Sequence, residues 1–478
     1  MNFGSRIVAG LSWTAGGKFG SQLVSWVITI YVMRILSPAD YGLLAMATVL
    51  IAILSMLSDL GLSQAAVSAR EVETKTLRLV FGLALTVNGI LYSLLFVAAP
   101  MIASFYGEPR LTLIVRIIGL QFIIEAFNVI PNILLQRALE FKWRSIIGFA
   151  TAIFSALTTL GCALAGYGVW SLILGSMAGA LLGAIGVNFL CPFLHLPSFT
   201  LKDSGKLFAF GGHVVSARIL GTLYMQADTA IGARILGAQQ IGLYSVSMQL
   251  ASLPMQRVAA ILNSVAFPAF AKLQSQPELA AGYLLRALSI LNIFSFPVFW
   301  GIAVTAPEII GVFLSDKWNS ATVPLQLLAL IMPIRIVWQM MPPILYGLGH
   351  ANIVAQNHVV AFVAMIIAFL VGVQYGIIGL SLAWVLMFPV VFLVNFRTWL
   401  PVMRVNTRAF FATMAMPLLA ASGMVASVMA FGAAIDISGV SKLVALIGVG
   451  AATYTALIWL LERDGIRDIR SIVWRRGG

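Results

Sequence analysis

The sequence predicts an all-α polytopic membrane protein of about 14 transmembrane helices, built as two pseudo-symmetric six-helix lobes plus two C-terminal helices. Three observations carry this. Of 478 residues, 60% are hydrophobic and 9% charged, against roughly 25% charged in soluble domains, and a soluble core cannot hide that much apolar surface. Apolar stretches of the length a bilayer-crossing helix needs, about 20 residues, follow one another from Ile7 to Leu461. The segment around Arg34 returns around Arg234, which divides the chain in two.

Taken in order, the first span, 7–35, ends at Ser37-Pro38 with Asp40, a turn that also opens the second, 41–68. Spans 77–99, 111–136 and 145–166 follow; Gly166-Tyr167-Gly168 ends the last of them, and 169–190 completes the first set. The second set is 206–235, 241–267, 283–304, 322–348, 354–374 and 377–397, with Tyr375-Gly376 between its last two members and Trp399-Leu400-Pro401 closing it. Spans 409–431 and 440–461 are additional. Pro131, Pro254, Pro333 and Pro342-Pro343 fall inside spans, where neighbouring groups satisfy the carbonyls that a proline frees. The longest connections, 191–206 and 305–322, are too short for an inserted soluble domain.

The repeat reads Arg34-Ile35-Leu36 then Gly42-Leu43, and again Arg234-Ile235-Leu236 then Gly242-Leu243. The same offset carries Lys18 onto Arg218, and Tyr167-Gly168 recurs at a slightly larger one as Tyr375-Gly376. The expected organisation is therefore an N-lobe, 1–200, a C-lobe, 201–400, and a last segment, 401–478, holding helices 13 and 14 and a basic tail. Both lobes start on the same side of the membrane, so they are parallel repeats with a transport site expected between them.

A net charge of +13 and a pI near 10 would point to nucleic acid in a soluble chain. Here the charges sort by side instead. Arg34, Arg110, Arg234, Lys317 and Lys442 fall outside, Lys18, Arg116, Arg218, Arg257 and Arg335 fall within spans, and the rest of the 29 Lys and Arg fall on the opposite side. By the positive-inside rule both termini are cytoplasmic. Cys162 and Cys191 have no disulfide or metal spacing, and the N-terminus lacks the pattern of a removable signal peptide.

A charged side chain at mid-membrane costs about 2.5 to 3.5 kcal/mol on insertion scales, so each such residue needs a partner or a wet cavity. The intramembrane acids are Asp59, Glu125 and Asp228. With the five cations they occupy helices 1, 2 and 4 and the corresponding 7, 8 and 10, as expected if those helices line a central cavity. Lys18 with Asp59, and Arg218 or Arg257 with Asp228, also read as static ion pairs holding helices together. Five cations against three acids favour a cavity for an anion, and the planar donor fork of Arg suits a phosphate.

Other features carry less. Trp13, Trp26, Trp170, Trp318, Trp384 and Trp399 read as interfacial anchors before sugar-stacking platforms. Met332, Met340 and Met341 read as helix packing. His195, His213, His350 and His358 share no ligand spacing, and no Walker loop is present, so neither a metal nor direct use of ATP is expected.

Leu36-Ser37-Pro38-Ala39-Asp40-Tyr41-Gly42-Leu43 with Asp59-Leu60-Gly61-Leu62 resembles the helix 1 to 2 signature of Wzx-type polysaccharide flippases of the MOP superfamily. The run from Leu135 to Lys142 resembles that family's helix 4 to 5 loop, and Asp228 with Ile231-Gly232 and Leu236-Gly237 its helix 7 to 8 segment. The resemblance implies a flippase for an undecaprenyl-diphosphate-linked oligosaccharide, working by alternating access in a bacterial inner membrane, with a polysaccharide polymerase and export machinery as partners. It implies no enzyme activity and no cofactor, although a proton or sodium ion coupled at Asp59, Glu125 or Asp228 stays open. A lipid II flippase and a multidrug antiporter of the same superfamily are the neighbouring alternatives. An antiporter for cationic drugs would want the opposite charge in its cavity. A glycosyltransferase or polymerase would need a catalytic loop that neither side offers.

Overall fold

The computed structural model describes residues 25–59, 73–138, 140–193, 195–199 and 205–461, with 59, 141, 205–220, 257–265 and 268 described in backbone alone. Helices and no strands occupy the described residues. Ten stretches of them are long and apolar enough to cross a membrane. One of these, Ala351–Met403, contains two helices broken near Gly372. Ser25–Ile35 is a shorter apolar helix, and the long element Gly205–Ala271 has two arms.

The helices are α1 (25–35), α2 (Pro38–Asp59), α3 (Thr74–Tyr106), α4 (Leu111–Arg137), α5 (Phe141–Leu164) and α6 (Val169–Leu190). Then come α7 (205–236) and α8 (238–271), the arms either side of non-helical Gly237. After these come α9 (Pro277–Val304), a short α10 (Ala306–Phe313), α11 (Thr322–Gly347), α12 (Ala351–Gly372), α13 (Gly376–Met403), α14 (Thr407–Ala434) and α15 (Gly439–Leu461). The 305–322 connection is thus not an open loop. It folds into α10 and a 3-10 turn over Asp316–Ala321, because Ile309, Ile310 and Val312 give it an apolar face. Glu308 of α10 pairs with Lys442 of α15 at 3.1 Å.

Local chemistry sets several boundaries. Ser37 and Asp40 form a reciprocal cap at the start of α2. The Asp40 carboxylate accepts from the Ser37 N–H at 2.9 Å and from its hydroxyl at 2.7 Å, while Ser37 Oγ accepts from the Asp40 N–H at 3.3 Å. Gly168 and Gly376, which open α6 and α13, share a backbone that side chains rarely adopt, with φ/ψ of 53°/−131° and 69°/−156°. The recurring Tyr-Gly pair of the sequence is therefore a recurring turn.

The chain forms two compact units, Met1–Gly242 and Leu243–Gly478. In the first, α3 packs on α4, α5 on α6, and α4 on α6, with α2 against α3, α4 and α6. Within the first unit the start of α8 is held against α2. A Cβ on Gly42 would fall on the Ala238 carbonyl oxygen, and one on Gly242 on that of Pro38. The two contacts exchange under the repeat offset.

In the second unit α12 pairs with α13 and α14 with α15, while α9 and α11 pack together and against α14 and α13 respectively. Helices α14 and α15 are docked on α9 through Ile293, Phe296, Ala420, Met424, Leu446 and Ile458. Trp318, Trp384 and Trp399 are fully buried in this unit, which corrects their reading as interfacial anchors: their rings fill the packed interior. Met332, Met340 and Met341 are buried as expected.

Candidate transport site

Of the eight ionisable residues singled out, Lys18 lies outside the described residues, and Asp59, Arg218 and Arg257 are described in backbone alone. The helices nevertheless fix spacing: Arg218 and Asp228 lie on the uninterrupted arm α7, about 15 Å apart along its axis. Arg116, Glu125, Asp228 and Arg335 are described in full.

Arg116 sits five residues into α4, about 8 Å from that end. Its Nε donates to the Phe96 carbonyl at 3.3 Å and its guanidinium stacks 4.2 Å from the Phe96 ring centroid. Glu125 follows nine residues later, and at 100° per residue the two point to opposite sides of α4. A single cavity cannot receive both from this helix. Glu125 is in line with buried Ile118 and Phe122 and yet exposed, so the packed stripe of α4 opens at its level. Asn128, one turn on, donates to its carboxylate at 3.2 Å.

Asp228 is 2% exposed within the first unit. Its Oδ1 accepts from the Thr229 N–H at 2.6 Å and the Thr229 hydroxyl at 3.2 Å.

Arg335 lies at mid-length in α11 and is 6% exposed. Its guanidinium sits 3.9 Å from the ring centroid of Trp384 on α13, with Nη1 3.3 Å from the Met248 sulfur of α8. Trp384 in turn donates from Nε1 to the Tyr244 hydroxyl at 3.0 Å. Trp384 also packs on Phe369 and Phe388. A buried cation is costly, and stacking on a desolvated indole offsets part of that cost. The sequence flagged the charge but not this box, because Met248, Tyr244 and Trp384 have no fixed spacing from Arg335.

Hydrogen-bonded clamps between helices were also missed. Ser58 donates to the buried Asn88 amide oxygen at 2.6 Å, joining α2 to α3, and Ser247 donates to the Ala321 carbonyl at 2.9 Å. Such groups join helices where lipid offers no partner. Polar residues inside apolar runs are their only sequence signal.

Ten described helical stretches long and apolar enough to cross a bilayer, a recurring turn and ionisable residues inside the spans define a multi-pass membrane protein. Residues 31–323 match the model of the family described as polysaccharide biosynthesis protein, and the chain belongs to that family. It is 26% identical over 470 residues to the succinoglycan biosynthesis transport protein ExoT of Rhizobium meliloti (strain 1021), covering 97% of this chain and 94% of that one. The teichuronic acid biosynthesis protein TuaB of Bacillus subtilis (strain 168) is 26% identical over 84% of both chains. The lipopolysaccharide biosynthesis protein WzxC of Escherichia coli (strain K12) is 26% identical over 81% of this chain and 79% of its own. Among solved structures, the lipid II flippase MurJ in an inward closed conformation superposes with a TM-score of 0.77 at 15% identity, over 95% of this chain and 99% of that one. An inward-facing multidrug transporter of the MATE family gives 0.60 at 16% identity, over 80% and 95%. These likenesses establish the shared fold.

Proposed function

We propose that the protein flips an undecaprenyl-diphosphate-linked oligosaccharide repeat unit from the cytoplasmic to the periplasmic leaflet for exopolysaccharide or lipopolysaccharide assembly. The observation that carries this is the match, along nearly the whole chain, to a transport protein of succinoglycan biosynthesis. In this reading the protein sits in a bacterial inner membrane with both termini cytoplasmic, and works by alternating access alongside polymerase and export machinery. The sugar and diphosphate enter a wet, cationic cavity while the polyprenyl tail stays in lipid. Lys18, Arg218 and Arg257 contact the diphosphate. Arg335 adds positive potential from its aromatic box, and Arg116 acts nearer the helix end.

Asp59, Glu125 and Asp228 are the counter-charges and the candidates for a coupled proton or sodium ion. The membrane potential also contributes, since moving an anion out of a negative cytoplasm is favourable by about 2.3 kcal/mol per charge per 100 mV. The test is flipping of a lipid-linked oligosaccharide in vesicles holding the purified chain, with polymer export in cells as a second readout. Arg257→Ala is expected to abolish both while the protein still accumulates in the membrane. Normal transport by Lys18→Ala, Arg218→Ala and Arg257→Ala, each tested singly, would overturn the site.

A further inference from the structure

Away from these residues, the first unit holds a cavity of about 370 Å3 lined by Phe81, Phe127, Pro131, Asn188, Phe193 and His195. Ligand pockets span about 300 to 1,000 Å3, so the volume is that of a binding site rather than a packing flaw. Its walls come from α3, α4, α6 and the extended stretch that follows α6. That stretch is fastened to α3. The Ser198 N–H donates to the Arg78 carbonyl at 2.9 Å, Arg78 Nε donates to the Leu196 carbonyl at 2.8 Å, and a Cβ on Gly82 would meet the Ser198 carbonyl oxygen. Phe81 meets Phe127 and Phe193 edge-on at 5.8 and 6.1 Å, and the His195 ring lies 4.8 Å from that of Phe193.

Depth and charge point to a class of ligand. Phe81 is seven residues into α3 and Pro131 six residues from the end of α4, so the cavity begins about 10 Å from the helix ends. Apolar chains begin at that depth, beneath the headgroup layer. The same end gathers Lys75, Arg78, Arg137, Lys142 and Arg144 against Glu73 and Glu140. Arg78, which is exposed, reaches the carbonyl of a lining residue, Leu196, and His195 stands exposed at the rim.

We propose that this cavity holds a stretch of one acyl chain of an anionic phospholipid, with the phosphate between Arg78 and His195. The bound chain fills the space under the extended stretch and so braces it on α3. The assignment depends on which end of the helices is basic, not on the transported substrate or on the side of the membrane, and stands apart from the proposed function.

The test uses the full chain in phosphatidylcholine vesicles containing phosphatidylglycerol with a photoreactive group on its acyl chain. Label is expected to concentrate on the peptides holding Phe127 and Phe193. A basic side chain at the surface is worth about five-fold in preference for anionic lipid, so unlabelled phosphatidylglycerol is expected to compete about five-fold better than phosphatidylcholine. Arg78→Gln is expected to lose that preference and Arg78→Lys to keep it. Label spread evenly over exposed positions such as Val97 and Met101, or equal competition by phosphatidylcholine, would overturn the site. Displacement by polyprenyl phosphate in preference to phosphatidylglycerol would make the carrier lipid the occupant and overturn the assignment. Should Arg78→Gln fail to accumulate, competition on the unaltered chain still decides.

Discussion

Arg335 brings a charge into a space made of Trp384, Met248 and Met332, and the order in which these are removed matters. Trp384→Ala opens a void and strips the cation of its ring, and large aromatic truncations cost about 3 to 5 kcal/mol. Arg335→Met keeps an unbranched side chain against the ring and opens no comparable void. Thermal unfolding in detergent is therefore expected to fall sharply for Trp384→Ala and little for Arg335→Met, with vesicle flipping slowed in the latter. Equal melting of the two would remove the box from the account. The charge at position 335 was plain in the sequence because it interrupts an apolar run. The ring beneath it was not, since 49 positions separate Arg335 from Trp384 and only the fold brings them together.

Among the elements, α14 and α15 were legible as two apolar spans and their docking was not. Their contact with α9 rests on small and aliphatic residues, which lipid-facing helices also carry, plus two polar links. The Tyr454 hydroxyl donates to the Ile293 carbonyl at 2.7 Å, and the Asn292 amide to Thr413 at 3.3 Å. Tyr454→Phe removes the first link while keeping the ring, and is expected to cost about 0.5 to 1.5 kcal/mol in an unfolding titration. No change there would mean that apolar packing alone holds α15 on α9. Helix α10 escaped the sequence reading for a different reason: eight residues are too few to show a helical period against their surroundings.

Orientation belongs to the entire chain, and Cys191 offers a way to read it. It follows α6 at the basic end, where burial and the neighbouring Glu140 carboxylate raise its pKa above the usual thiol value. The reactive thiolate is then scarcer than usual at neutral pH, so maleimide labelling is expected to be slow there and to rise steeply on the alkaline side. With the basic end cytoplasmic, an impermeant maleimide labels Cys191 in inverted vesicles and not in intact cells. Labelling from outside the cell would reverse the topology. The apolar spans and the recurring Tyr-Gly turn could be read from apolar length, turn residues and offset. The close approach of α2 to the start of α8 could not, because two backbones in contact leave only glycine as a trace.

That approach has a consequence for genetics. Gly42 lies on Ala238 as Gly242 lies on Pro38, so both glycines guard one crossing of α2 with the start of α8. A methyl group at either position must push the same two backbones apart, and overpacking of this kind costs typically about 1 to 3 kcal/mol. Once they are apart, the second methyl meets open space. Gly42→Ala and Gly242→Ala are expected to lower stability singly, and together by distinctly less than the sum of the two, a coupling that a double-mutant cycle on the purified protein reads directly. Strict additivity would mean two independent contacts. Each glycine therefore partly masks the other: in a background already altered at one, selection acts more weakly on the residue at its counterpart.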